Sequence, residues 1–157
     1  FEPKPPGAAD ETIAAIEYLI DIGAKSFIFD VRDNPGGLVN EMVKVLDYLL
    51  PDGDLFVSVD KKGEETVMKS DKFCLKYDMV VLVNGNSYSA AEFFAAALQE
   101  YNWATVMGEQ TTGPASKLSI LMYPMPPSSS LLLTGLLYMI LQFTLTVFSV
   151  PSEEMSI

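Results

Sequence analysis

Met79 to Val83 is an unbroken apolar run of mostly β-branched residues, and it stops abruptly at Asn84-Gly85-Asn86-Ser87-Tyr88-Ser89-Ala90-Ala91-Glu92. With no polar residue alternating in it, the run predicts a strand buried in a parallel sheet, and the alanine-rich stretch Ala90 to Gln99 predicts the helix that follows. Ser89 then falls at a strand-to-helix corner. Two readings of that serine stand side by side. It is a helix N-cap, one of the commonest uses of serine. Or its hydroxyl is a reactive group placed where free N–H groups and the positive end of the helix dipole favour developing negative charge.

Composition narrows the chemistry open to such a corner. At 157 residues and 49% hydrophobic content the chain has enough apolar surface for the core of one domain. Ten Lys and Arg against 21 acids, a net charge of −11, argue against nucleic acid or an anionic membrane surface as partner. The sequence has no histidine, so a Ser-His-Asp triad and most zinc sites are out of reach, and a serine nucleophile would need another base, typically lysine. Nothing in the sequence calls for a cofactor or a metal. The single cysteine, Cys74, has no partner for an internal disulfide. Phe1 is not an initiator, and the chain reads as an internal fragment.

From the start, residues 1–9 read as a proline-rich linker or frayed end. Asp10 is expected to cap a helix whose buried face is Ile13, Ile16, Leu19 and Ile20 and which Gly23 closes. Ser26 to Val31 predicts a strand, leading through Asn34-Pro35-Gly36-Gly37 into an amphipathic helix marked by Val39, Met42, Val43, Leu46 and Leu50. The glycine pair is either a tight turn or a place where backbone N–H groups can approach an anion closely. Leu55 to Asp60 and Glu65 to Ser70 predict a hairpin, and Ala104 to Met107 a further strand. Strand and helix alternate, so the fold class is α/β, and ligands in such folds collect at the carboxyl ends of the strands. The glycine pair and Ser89 are therefore expected to face one crevice.

Three blocks in order then carry a resemblance: Phe29 to Leu38 (FDVRDNPGGL), Val81 to Glu92 (VLVNGNSYSAAE) and Val106 to Gly113 (VMGEQTTG). Together they resemble the catalytic core of the C-terminal processing peptidases, or tail-specific proteases. The resemblance implies a crotonase-like (ClpP-like) layered α/β fold, with residues 10–113 as a partial peptidase core. It also implies peptide-bond hydrolysis by a Ser-Lys dyad, which agrees with the missing histidine. Ser89 maps onto the nucleophile. The oxyanion hole would be the N–H of Ala90 with an N–H from Gly36 or Gly37. Substrates would be peptides or proteins with extended C-terminal segments, and the location extracytoplasmic, in the cell envelope or secreted. The family's PDZ-like module is expected to be absent, since only the short proline-rich stretch precedes Asp10. Some family members carry an acid where Glu100 stands, but eleven helical residues would separate it from Ser89 by roughly 16 Å, so Glu100 is expected to be a solvated helix end.

At the base the sequence departs from the family. The pattern continues Thr-x-Gly-Lys-Gly, with a glutamine four residues after the lysine, whereas this chain reads Thr111-Thr112-Gly113-Pro114-Ala115-Ser116-Lys117-Leu118. Pro114 stands at the lysine position and Leu118 at the glutamine position. Proline has no ionisable group and cannot accept the serine proton. Lys117 is the nearby substitute, but on an extended segment a shift of three positions turns its side chain to the opposite face.

Residues 114–157 form a divergent apolar tail. Leu118 to Ser152 carries no charge, and Leu131 to Val150 has the length and hydropathy of a membrane-spanning helix. Interruptions at Thr134, Gly135, Gln142, Thr144, Thr146 and Ser149, with alternation over Thr144 to Phe148, favour sheet segments instead. The abrupt loss of motif at Pro114 is also what a frameshift would produce. So large an apolar stretch predicts self-association. The function expected is a serine-type tail-specific endopeptidase core, impaired by its missing base. The alternatives are a non-catalytic peptide-binding pseudo-peptidase or scaffold, which could bind extended peptides by strand addition, and a crotonase-like acyl-transfer domain, which the fold alone would permit.

Overall fold

A computed structural model describes residues 7–113 and the backbone of 146–149. The first helix, α1 (Ala8–Asp21), starts two residues before Asp10, with Gly7 as its N-cap. Asp10 lies in the first turn instead of capping with its own backbone, and its carboxylate accepts the Gly7 N–H at 3.2 Å. A first-turn acid serves the helix dipole as well as a cap would. The other end closes as the glycine implies: Gly23 takes φ 98°, and the N–H of Ala24 reaches back to the Leu19 carbonyl at 2.9 Å.

Strand β1 (Ser26–Asp30) follows, then α2 (Val39–Leu49), the hairpin β2 (Gly53–Val59) and β3 (Glu65–Ser70), β4 (Asp78–Val83), α3 (Ala90–Glu100), β5 (Thr105–Gly108) and β6 (Thr146–Ser149). The main sheet has the order β5-β4-β1-β6. β1, β4 and β5 run parallel, with Asp30 opposite Leu82 and Val83 opposite Gly108, so their carboxyl ends share one edge. β6 lies antiparallel to β1, pairing Phe27 with Ser149 and Asp30 with Thr146. A strand at 146–149 excludes one unbroken helix across Leu131 to Val150, and the rest of that stretch lies outside the described residues. No helix among the described residues is long and apolar enough to cross a membrane.

β4 is not buried evenly: Met79, Val81 and Val83 are buried, while Val80 and Leu82 are half-buried. The uniformly apolar sequence reflects one face in the core and a second face only partly covered. That core joins Phe27, Phe29, Val81 and Val106 from the sheet to Met42, Leu46, Leu49, Phe94 and Leu98 from α2 and α3. Phe29 meets Phe94 edge to face at 5.5 Å, and burying each such ring contributes about 1.5–3 kcal/mol. The hairpin is pinned by Phe56 against Phe93 and by the Ser70 hydroxyl, which donates to the Leu50 carbonyl at 2.9 Å. α2 and α3 therefore hold the sheet from one side. The three loops leaving the carboxyl ends of β1, β4 and β5 are left side by side.

Candidate active site

Ser89 ends the loop after β4 and has φ 55° and ψ −121°, a region that L-residues seldom occupy. Holding it there costs on the order of 1–3 kcal/mol, which the surrounding contacts must supply. The serine does not cap α3 with its hydroxyl; only the reverse arm of a capping box is made, the Ser89 N–H donating to Glu92 Oε2 at 2.9 Å. The half-buried Ser89 hydroxyl thus has no hydrogen-bond partner among the described residues. The next amide, Ala90 N–H, is the first of the helix and likewise donates to no carbonyl or carboxylate among them.

The glycine pair lies directly against this corner. A Cβ on Gly36 would sit 2.6 Å from the Tyr88 carbonyl oxygen, 2.8 Å from the Ala90 nitrogen and 2.9 Å from Ser89 Cβ. Gly36 also has φ 87°, so both space and conformation demand glycine. Its N–H is already committed, donating to the buried Asn34 Oδ1 at 2.8 Å. Of the two glycine amides, the one left without a partner among the described residues is Gly37 N–H, beside the strongly exposed Leu38.

A set of polar contacts joins the β1 and β4 loops. Asn34 O accepts the Tyr88 N–H at 2.9 Å, and the fully buried Ser87 hydroxyl donates to the Val31 carbonyl at 2.7 Å while accepting the Asn84 N–H at 3.0 Å. Asp33, at φ 57°, accepts the side-chain amides of Asn86 and Asn84 at 2.7 and 3.0 Å. These two amides, Asn86 first, hold its carboxyl below the usual aspartate value. Arg32 pairs with Asp30, and that hydrogen bond raises the guanidinium pKa.

The third loop arrives through Glu92. This side chain is fully buried, and its Oε1 accepts the Gly113 N–H at 3.0 Å. A Cβ on Gly113 would overlap Glu92 Oε2 and come within 2.8 Å of the Tyr88 ring. The structure therefore brings together Ser89, Ala90, Gly36 and Gly37, and adds Ser87, Asn84, Asp33 and Glu92, to which sequence reasoning assigned no role. The spacing Ser89-x-x-Glu92 was the available signal for the last of these. Glu100 is exposed at the far end of α3. Pro114, Lys117 and Leu118 lie outside the described residues.

A cavity of about 920 Å³ opens at the opposite edge, where Ser26, Asp78 and Thr105 begin their strands, lined also by Lys25, Lys76 and Trp103. Its position is the reverse of where parallel α/β sheets gather reactive groups, so Ser89 and its neighbours remain the candidate site.

Comparison with known proteins identifies the family. The chain is 36% identical over 118 residues to a carboxy-terminal-processing protease of Bartonella bacilliformis, covering 73% of this chain and 26% of that protein. It is 33% identical over 109 residues to the chloroplastic carboxyl-terminal-processing peptidase 1 of Arabidopsis thaliana, covering 68% of this chain and 22% of the relative. Among solved structures it resembles a photosystem II D1 C-terminal processing protease, with a TM-score of 0.61 at 30% identity over 66% of this chain and 28% of that one. The chain thus spans about a quarter of the length of these relatives. The profile of peptidase family S41 matches residues 3–142, continuing past Gly113 into the apolar stretch. On a match that takes in most of its length, this chain belongs to peptidase family S41.

Proposed function

We propose that the chain is the core of a serine-type tail-specific endopeptidase with crotonase-like layering, in which Ser89 is the nucleophile. The observation that carries this reading is the Ser89 corner itself: a strained serine whose hydroxyl caps nothing, at a helix N-terminus, packed against a glycine turn. In the reaction Ser89 Oγ attacks the carbonyl carbon of the scissile bond and loses its proton. The tetrahedral oxyanion accepts hydrogen bonds from Ala90 N–H and Gly37 N–H, and collapse expels the amine as it is protonated. Gly36 contributes proximity, because its own N–H is held by Asn34. Substrates are extended peptide segments ending in a free C-terminus, and an extracytoplasmic location belongs to the same reading.

Proton removal is the weak step. With Pro114 at the base position, Ser89 lacks the general base the dyad requires, a loss worth about 10²- to 10⁴-fold. Pro114 also supports the second reading, a peptide-binding pseudo-peptidase that holds an extended segment without turning it over. Cleavage of a fluorogenic peptide by the purified chain separates the two. Slow, Ser89-dependent turnover that rises with Pro114→Lys, and further with Pro114→Lys and Leu118→Gln together, fits the peptidase. Peptide binding with no turnover in any variant fits the pseudo-peptidase. Turnover that survives Ser89→Ala sinks the nucleophile assignment, and turnover abolished by Lys117→Ala makes Lys117 the base. Self-association through the 131–150 stretch is proposed on its composition and is checked by sedimentation at two concentrations.

A further inference from the structure

We infer that Glu92 is a positioning residue that clamps the Ser89 corner to the Thr111–Gly113 turn, so that one carboxylate sets the geometry of two loops at once. The inference rests on the reading of Ser89 as nucleophile and concerns what holds that serine in place.

The Glu92 carboxylate is wholly buried, and it accepts hydrogen bonds from backbone amides of two separate loops, Ser89 N–H at 2.9 Å and Gly113 N–H at 3.0 Å. No Lys or Arg forms an ion pair with it among the described residues. Burying a carboxylate without a cation is costly, and an apolar side chain would fill the same space more cheaply if packing were its whole purpose. The charge is offset by the two charge-assisted hydrogen bonds and by the start of α3, where Glu92 stands third in the helix. Fixing the Ser89 N–H fixes the peptide plane entering a residue at φ 55°, and the amide leaving that residue is the Ala90 N–H. Gly113 has no room for a Cβ beside the carboxylate, so the turn comes as near to Glu92 as backbone can.

Glu92→Gln tests this closely, because a carboxamide keeps the size but has one acceptor oxygen instead of two. Amide hydrogen exchange by NMR on the full chain should show tenfold or greater loss of protection at one of Ser89 and Gly113 in Glu92→Gln, and at both in Glu92→Ala. The helix-interior amides of Ala95 and Leu98 should be unchanged. Affinity for a peptidyl boronic acid, which becomes tetrahedral on a serine hydroxyl, should fall at least tenfold in both variants. Unchanged exchange at both amides would overturn the clamp. Released amides with undiminished boronate affinity would reduce Glu92 to a structural residue and overturn the positioning role. Boronate binding that persists in Ser89→Ala refutes the nucleophile instead, and with it the positioning role, while exchange still reports the clamp separately.

Discussion

Replacing Gly36 by alanine should cost much more stability than the same change at Gly63, although the two glycines have nearly the same backbone conformation, φ 87° and 83°. Gly63, in the β2–β3 hairpin turn, has nothing within 4 Å of an added Cβ. There the penalty is conformational: roughly 1–2 kcal/mol for an L-residue in the left-handed region, offset by about 0.4–1 kcal/mol from a less free unfolded chain. Gly63→Ala should therefore lose under about 1.5 kcal/mol. At Gly36 the same methyl would meet the Tyr88 carbonyl oxygen at 2.6 Å and the Ala90 nitrogen at 2.8 Å, both backbone atoms that cannot swing aside. Crowding of this kind adds about 1–3 kcal/mol, bringing Gly36→Ala to roughly 3 kcal/mol. Urea unfolding followed by fluorescence of Trp103, the only tryptophan, is the assay. Trp103 is half-buried and its indole N–H donates to the Leu75 carbonyl, so it should report the loss of tertiary structure. With a slope of about 2 kcal/mol per M, the two midpoints should lie about 1 M apart at unchanged slope. Coincident midpoints would show that the glycine turn does not press on the Ser89 corner, and the shared crevice would have to be abandoned.

Ser87→Ala should lower stability by about 1–3 kcal/mol, read as a midpoint shift in the same assay, because it strips the buried Val31 carbonyl and Asn84 N–H of a partner. Thr111→Val should be neutral or stabilising in thermal melts, since the buried Thr111 hydroxyl has no hydrogen-bond partner among the described residues; a clear loss of stability would reveal one. The Asp33 carboxyl is lowered on folding from 3.8 by Asn86 and Asn84, so its contribution is full above that value and disappears as pH falls through the lower folded one. Carbon NMR titration of the Asp33 carboxyl should therefore give a midpoint below 3.8, and Asn86→Ala should move it upward.

Much of the fold was legible because apolar period and punctuation agreed locally. Gly23 ended α1, the Ala90 run made α3, and Ser89 stood at the corner between strand and helix. What escaped the sequence depended on side chains meeting across long separations. The choice between Gly36 and Gly37 as a free donor is made by the Asn34 side chain folding back on Gly36 N–H, which no apolar pattern announces. Glu92 reads as an ordinary first-turn acid until Gly113, 21 residues on, is seen to reach it. β4 looked evenly buried because composition does not say how much of a sheet's second face is covered. The position of β6 beside β1 was beyond reach, since strand pairing at such distance leaves no local trace.

That last pairing bears on how the chain reaches its structure. β1 sits in the middle of the sheet, yet one of its two neighbours lies more than a hundred residues later, in 146–149. During synthesis β4 can pair with β1 as soon as residue 83 has emerged, whereas the opposite edge of β1 waits until nearly all of this sequence has been made. With β1, β4 and β5 already paired, docking β6 closes the loop from Gly108 to Thr146, which costs about 3 kcal/mol of chain entropy that a four-residue strand must recover from its own hydrogen bonds and packing. Until it docks, Phe27-Ile28-Phe29 is an open apolar edge able to pair with another molecule. Folding yield should therefore fall with protein concentration, and the late arrival of β6 should decide between a finished sheet and an aggregate.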